Sequence, residues 1–353
     1  MEIYILLVLA IIFLYFFTKI LFMKNKLIYC LLIGLFLYLI IAFRGLCMGE
    51  DLKLLYVPYF KLIQSYKLEQ VFEFCKSINT EFFYYFINYI ISRFTQDVHI
   101  YIAIVGFPFI YITTRYIYKY SNNALLSFLI FISLNYYCYA FSALRHTMAA
   151  AFIVLSYDYI VKQKKMKFIA CILVASLMHR SAIIFLIAYP ICNFKVKLKQ
   201  LILIFISLFG SLLFKDLILK VIFTFVSDGH FALYKNYNSN LGLTFFFMNI
   251  LIYLFIYYLE RENKDEREIK VNLNLQFLCV CFSALVPMFS EMMRISYFFG
   301  IFATCSLPNA INRSKHENRK KIYNVILAII FIFYFLNYSL LNNELVPYVS
   351  LFD

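Results

Sequence analysis

The feature that decides most about this chain is the nearly unbroken apolar run Ile3–Phe22, and the return of similar runs as far as Val349 with no long polar segment between them. A run of that length matches the roughly 30 Å hydrocarbon core of a bilayer. Inside that core every backbone N–H and C=O needs an internal partner, which only helices and closed barrels supply. Barrel strands alternate apolar and polar residues, whereas these runs are continuous, so the fold is read as all-α. Composition agrees. The chain is 64% hydrophobic and 15% charged, against about 45–50% and about 25% in a soluble domain, so the apolar surplus has to face lipid. Length alone suggests two or three soluble domains, but the steady recurrence of apolar runs predicts one transmembrane domain over 1–353. The first run has no basic leader and no small-residue cleavage site, so a retained helix is expected rather than a signal peptide.

Runs of crossing or near-crossing length are Ile3–Phe22, Leu27–Phe43, Val98–Thr114, Ala124–Tyr139, Arg145–Val161, Phe168–Met178, Ala182–Phe194 and Leu201–Phe214, followed by Gly242–Leu259, Val271–Phe289, Ile295–Ala310 and Tyr323–Leu341. The expectation is therefore a polytopic integral membrane protein of about 12 transmembrane helices (10–14). Phe82–Phe94 and Leu217–Val226 are shorter and are read as re-entrant or interfacial. Basic clusters set the orientation: Lys24 with Lys26, Lys162–Lys167, Lys195–Lys199, the mixed run Glu260–Lys270 and Arg313–Lys321 belong in the cytoplasm, as does Arg115 with Lys119. Both termini then lie outside. So do loops near 44–80 and 227–241, the turn Phe141–Leu144, the hinge His179–Ser181 and the turn 290–294.

A net charge of +14 raises the question of nucleic acid. The lysines and arginines sit in short clusters between apolar runs, which is the pattern of membrane topology, and no basic stripe with interleaved aromatics is present. The nine cysteines form no Cys-x-x-Cys pair and no Cys/His set with zinc spacing. Most fall within apolar runs, where cysteine behaves as a small hydrophobe. Cys47 and Cys75 share one loop and could pair, but free thiols are expected.

Isolated charges at the edges of apolar runs are the candidates for chemistry, because each costs about 2.5–3.5 kcal/mol at a helix centre on insertion scales. They are Arg44, Glu50, Asp51, Glu81, Arg145, His146, Asp158, His179, Arg180, Glu291 and Arg294. Singly, Arg44, Arg180 and Arg294 read equally well as snorkelling anchors. Their position opposite the lysine clusters argues against that, since topology anchors belong in the cytoplasm. Arg145 opens Arg-His-Thr-Met-Ala-Ala-Ala-Phe, and Ala149–Ala151 suit close helix packing. His179, in Leu-Met-His-Arg-Ser-Ala, is either a satisfied polar residue or a proton acceptor and donor to phosphate or sugar oxygens. In Arg44-Gly-Leu-Cys-Met-Gly-Glu-Asp51, glycine lets backbone approach a ligand and the carboxylates can take a proton. Asp158 lies toward the cytoplasmic end of its run and is read as structural. Three or four arginines, one or two carboxylates and a histidine on the outer side suit an anionic lipid head group. Tyr56, Tyr59 and Tyr297 could line an acceptor groove.

In order along the chain, these residues resemble the EpsG-like branch of the Wzy-type bacterial polysaccharide polymerases. The matching pieces are Arg44 followed by Gly49-Glu50-Asp51 and Tyr59, Glu81 opening an apolar segment, Arg145-His146-x-x-Ala149 with Ser156, His179-Arg180-Ser181-Ala182, and Arg294-x-x-Tyr297-Phe298. The stretch covers roughly residues 40–300. His146 stands where the family pattern usually has glutamine, and Gly-Glu-Asp-Leu where it has Gly-x-Asp-Thr/Tyr. The resemblance implies a GT-C-like membrane glycosyltransferase of the bacterial cytoplasmic (inner) membrane. It would join polyprenyl-diphosphate-linked oligosaccharide repeats outside the membrane, in O-antigen, capsule or exopolysaccharide synthesis. Under that implication Arg145 and Arg294, helped by Arg44, hold the departing diphosphate, and Asp51 or His179 is the base. Glu50, Tyr59, Glu81, His146, Arg180 and Tyr297 would contact substrate. No cofactor or metal is expected, because arginines neutralise the diphosphate and no Asp-x-Asp motif occurs. Expected partners are the lipid-linked oligosaccharide, membrane lipid, and flippase and chain-length regulator proteins. A flippase of the same lipids or a membrane acyltransferase are the rival readings; no internal repeat supports the first, and the arginine excess disfavours the second.

Overall fold

The structure, a computed structural model, describes residues 1–21, 25–195, 199–214, 217, 240–289, 291–342 and 345–353. Polar residues between apolar runs begin its helices. Helix α1 (Glu2–Leu21) is followed by α2 (Lys26–Ala42), whose N-cap Asn25 accepts from the N–H groups of Leu27 and Ile28 at 3.0 and 3.3 Å. Asp97 accepts from His99 N–H at 2.7 Å to start the long helix Val98–Tyr120, and Asn123 caps Ala124–Ser133 in the same way. Among the described residues the fold is all-α, with an isolated antiparallel bridge between Arg44 and Ser350.

The expected GT-C-like set of about 12 spans is not what forms. Among the described residues, four helices are long and apolar enough to cross a membrane: Glu2–Leu21, Val98–Tyr120, Gly242–Glu260 and Glu317–Ser339. The other apolar runs fall short for two reasons. Some are broken. Ala124–Ser133 stops before Asn135, which takes φ 66°. Helix Lys165–Met178 ends at an extended His179, and a 3-10 segment Arg180–Ile187 follows. The run from Ile295 is split into Met292–Gly300 and Ala303–Arg313. Others are too short or carry too many polar residues. Leu144–Val161 contains Arg145, His146 and Asp158, and the 17 residues of Arg267–Ser283 include Asn272, Asn274 and Gln276; both helices are buried along most of their length. The outermost helices show the contrast: only 28% of the span in α1 and 17% of that in Glu317–Ser339 is buried.

Leu144–Val161 is the central helix, packed against Lys165–Met178 and Val98–Tyr120. Ala149, Ala150 and Ala151 are buried, which permits this close approach. At Gly34 the approach of α2 to Thr114 is so close that a Cβ would sit 2.7 Å from its Oγ1. The segment read as a loop over 44–80 is largely helical: a π turn Leu52–Tyr56, then Val57–Gln64 and Leu68–Ser77, both packed on Phe82–Phe94. The loop expected at 227–241 lies outside the described residues except for its last two, and so does Leu217–Val226 except for Leu217. All nine cysteines are free thiols.

Candidate functional site

Helix Phe82–Phe94 has Glu81 as its N-cap residue, which places a carboxylate at a helix N-terminus and at the meeting point of three distant segments. Arg145, in the first turn of the central helix, brings Nη1 within 2.6 Å of Glu81 Oε2 and also bonds the hydroxyl of Thr80. His179 puts Nδ1 at 3.5 Å from Oε1, an ion-pair separation at the outer limit of hydrogen bonding. Arg180 donates its backbone N–H to the same oxygen at 2.8 Å, approaches it with Nε at 3.4 Å, and bonds the backbone oxygen of Asn79. The extended backbone at His179 makes this possible, because it turns the chain at the end of one helix so that consecutive residues face one carboxylate. Burial by itself would raise the Glu81 carboxyl. The His179 imidazole facing Oε1, the Arg145 charge and the Arg180 N–H outweigh it and hold the group well below the usual carboxylate range.

A second charged group lies beside the first. Arg294 pairs with Glu291 at 2.9 Å and reaches Asp51 at 3.4 Å. Asp51 is held by its own backbone: its N–H donates to Ser142 Oγ at 3.1 Å. Two residues earlier Gly49 takes φ 100°, and a side chain there would run into the carbonyl of Phe141. Glycine is needed on both counts.

His146 sits between the two groups. Its Nε2 is 2.8 Å from the carbonyl oxygen of Arg294, its ring stacks on Phe298 at 4.4 Å, and the His179 ring centroid is 5.8 Å away. It is 4% exposed. Burial above all holds its pKa well below the usual histidine range, against the opposing bond to the Arg294 carbonyl. Tyr297 is also buried, its ring 4.6 Å from Tyr139.

The sequence candidates thus divide. Glu81, Arg145, His179 and Arg180 converge, and Asp51 and Arg294 form the neighbouring pair. His146 and Tyr297 are packed beneath them. Glu50 is exposed and Tyr59 packs on Phe74 and Tyr85, at 5.0 and 6.1 Å, in the segment flanking the site. Arg44 is fully buried. It donates to the carbonyl of Ile41 at 3.0 Å and lies 5.3 Å from the Phe141 ring, with no surface to offer a ligand in this arrangement. Asp158 pairs with Lys119 at 2.5 Å, away from the site. Thr80 and Ser142 are contributors the sequence reading missed. Both are small hydroxyls one and three residues before a named charge, which is the only signal they carry.

Two arginines and a histidine on one carboxylate leave the first group with a positive excess, the electrostatics an anion requires. The EpsG family model matches residues 26–350. The chain belongs to the EpsG family. That is a family of Wzy-type polysaccharide polymerases, and the helical architecture with its apolar outer helices is that of a membrane protein. No curated protein and no solved structure matches the chain. The EpsG match begins at the start of α2, takes in every candidate residue, and ends at Ser350, the residue bridged to Arg44.

Proposed function

We propose that this EpsG protein joins polyprenyl-diphosphate-linked oligosaccharide repeats on the extracytoplasmic face of the bacterial cytoplasmic membrane. A hydroxyl of one repeat attacks the anomeric carbon of the other. The new glycosidic C–O bond forms as the C–O bond to the diphosphate breaks, the hydroxyl proton passes to a base, and polyprenyl diphosphate leaves with the electron pair. Fixed positive charge at the leaving group accelerates such a step, because the charge develops in the transition state. Arg145 and Arg180 supply it beside Glu81, while Arg294, paired with Asp51 and Glu291, borders the other side.

Of the two candidate bases, His179 fits better than Asp51. Its Nδ1 faces the Glu81 carboxylate, which favours the tautomer with the proton on Nδ1, leaving Nε2 to accept a proton and stabilising the imidazolium that results. Asp51 faces Arg294 instead and orients it. The observation that carries the reading is the convergence of Arg145, His179 and Arg180 on Glu81. The test is reconstitution: purified chain in proteoliposomes, supplied with lipid-linked repeats extracted from a strain lacking it. A ladder of longer lipid-linked glycans with release of polyprenyl diphosphate is expected. Movement of intact repeats across the bilayer with no ladder would make the protein a transporter.

A further inference from the structure

The segment 345–351 is far in sequence from every candidate residue, yet it lies along the stretch that leads to Asp51. Gly45 N–H donates to the Val349 carbonyl at 2.8 Å, and Leu351 N–H donates to the Phe43 carbonyl at 2.7 Å, closing the bridge between Arg44 and Ser350. Tyr348 reaches the Ile40 carbonyl with its hydroxyl at 2.9 Å, and Val349 N–H points at Met48 Sδ at 3.4 Å. Phe352 stacks on Phe43 at 6.0 Å. Leu345 anchors the start of the segment in the core at 1% exposure. A Cβ on Gly45 would sit 2.9 Å from Val349 Cγ1, so the two strands are in close contact.

Arg44 joins this segment to the interior. Its backbone is bridged to Ser350, while its guanidinium is buried under Phe141, donating to Ile41 at the end of α2. Phe141 also limits Gly49, and the next residue, Ser142, holds Asp51. The stretch 44–51 is thereby gripped from both sides, by 349–351 on one and by 141–142 on the other.

We infer that residues 345–351 are a strap that positions Asp51 opposite Arg294, with Tyr348 and the Leu351 N–H as positioning groups and Arg44 as the buried pivot rather than a substrate ligand. The inference rests on the polymerase reading for its consequence, but not for its structural part. A loop gripped on one side only would let Asp51 drift from Arg294, whose separation of 3.4 Å is already at the edge of direct contact.

Two variants test it in the full chain. Leu351→Pro removes one strap donor at a partly exposed residue, and Tyr348→Phe removes one hydroxyl bond and is the gentler change. Amide hydrogen exchange in nanodiscs should rise over 45–53 in both, more in Leu351→Pro, and stay unchanged over 80–85 and 179–182. In the reconstituted assay Leu351→Pro should lower kcat about tenfold with little change in KM. That loss should vanish when Asp51→Asn is already present, yet persist in full on top of His179→Ala. Unchanged exchange over 45–53 would overturn the strap. Raised exchange with wild-type kcat, or a loss that multiplies with Asp51→Asn, would overturn its positioning role. If the wild-type chain itself forms no polymer, the functional reading fails, and the exchange data alone decide whether the strap holds the loop.

Discussion

The two charged groups at the site differ in how firmly they are built. Around Glu81, two arginines and a histidine from two distant segments meet a carboxylate whose side chain is 8% exposed, at 2.6, 3.4 and 3.5 Å, and the Arg180 N–H adds a bond of 2.8 Å. Around Arg294, two carboxylates with side chains 28% and 33% exposed meet one guanidinium, and the contact across the chain is 3.4 Å. Buried, short charge-assisted bonds hold geometry and resist solvent screening, while longer, wetter ones yield to a competing ligand. On the proposed reading, the Glu81 group is the fixed frame of the site and the Arg294 group the side that adjusts to substrate.

If that contrast is right, substitutions should rank accordingly. Glu81→Ala removes the common partner of Arg145, His179 and Arg180 and leaves a largely buried arginine uncompensated. We expect polymer formation to fall by more than about 10²-fold and the melting midpoint to drop by the equivalent of about 3 kcal/mol, read by thermal unfolding in detergent. His179→Ala should cost about 10²-fold in kcat with much less loss of stability. A loss no deeper than that of Asp51→Asn would return the base to Asp51. Asp51→Asn should cost about tenfold, the equivalent of about 1.4 kcal/mol; a loss as deep as that of Glu81→Ala would erase the distinction between the groups.

Acid stability probes the same difference. The Glu81 carboxyl is held below its unfolded value, so its contribution is fully present above about pH 4.3 and is lost as pH falls from there toward the folded value. Glu81→Gln should make the unfolding midpoint less sensitive to pH in that acid window. The smallest effect belongs to Asp158→Asn. Its partner Lys119 is 40% exposed, so stability should change by less than about 1 kcal/mol and chain length not at all.

The charged members of the candidate site stand out in the sequence because an ionisable residue at the edge of an apolar run is costly wherever it points. Their grouping does not. Glu81 meets Arg145 and Arg180 only because the extended backbone at His179 and the start of the central helix face one another, and neither sequence separation nor periodicity encodes that. Likewise Arg44 has the same signature as Arg145, yet it is walled in beneath Phe141. Counting spans failed for a related reason. The apolar run from Val271 belongs to a helix, Arg267–Ser283, that begins in charged residues, carries Asn272, Asn274 and Gln276 and is buried against other helices, and an apolar run alone does not show where its helix starts and stops. The strap at 345–351 has neither periodicity nor charge to mark it.

The most direct test of the Glu81-centred site is the glycan made in the native strain by chains carrying Arg145→Ala and Arg145→Lys at matched expression. The account predicts that long polymer disappears in the first and is barely restored in the second, because lysine lacks the planar guanidinium whose Nη1 meets Glu81 and Thr80 and whose Nε reaches the Tyr56 hydroxyl, while single lipid-linked repeats build up on the outer face. Glycan of wild-type length from Arg145→Ala would contradict it.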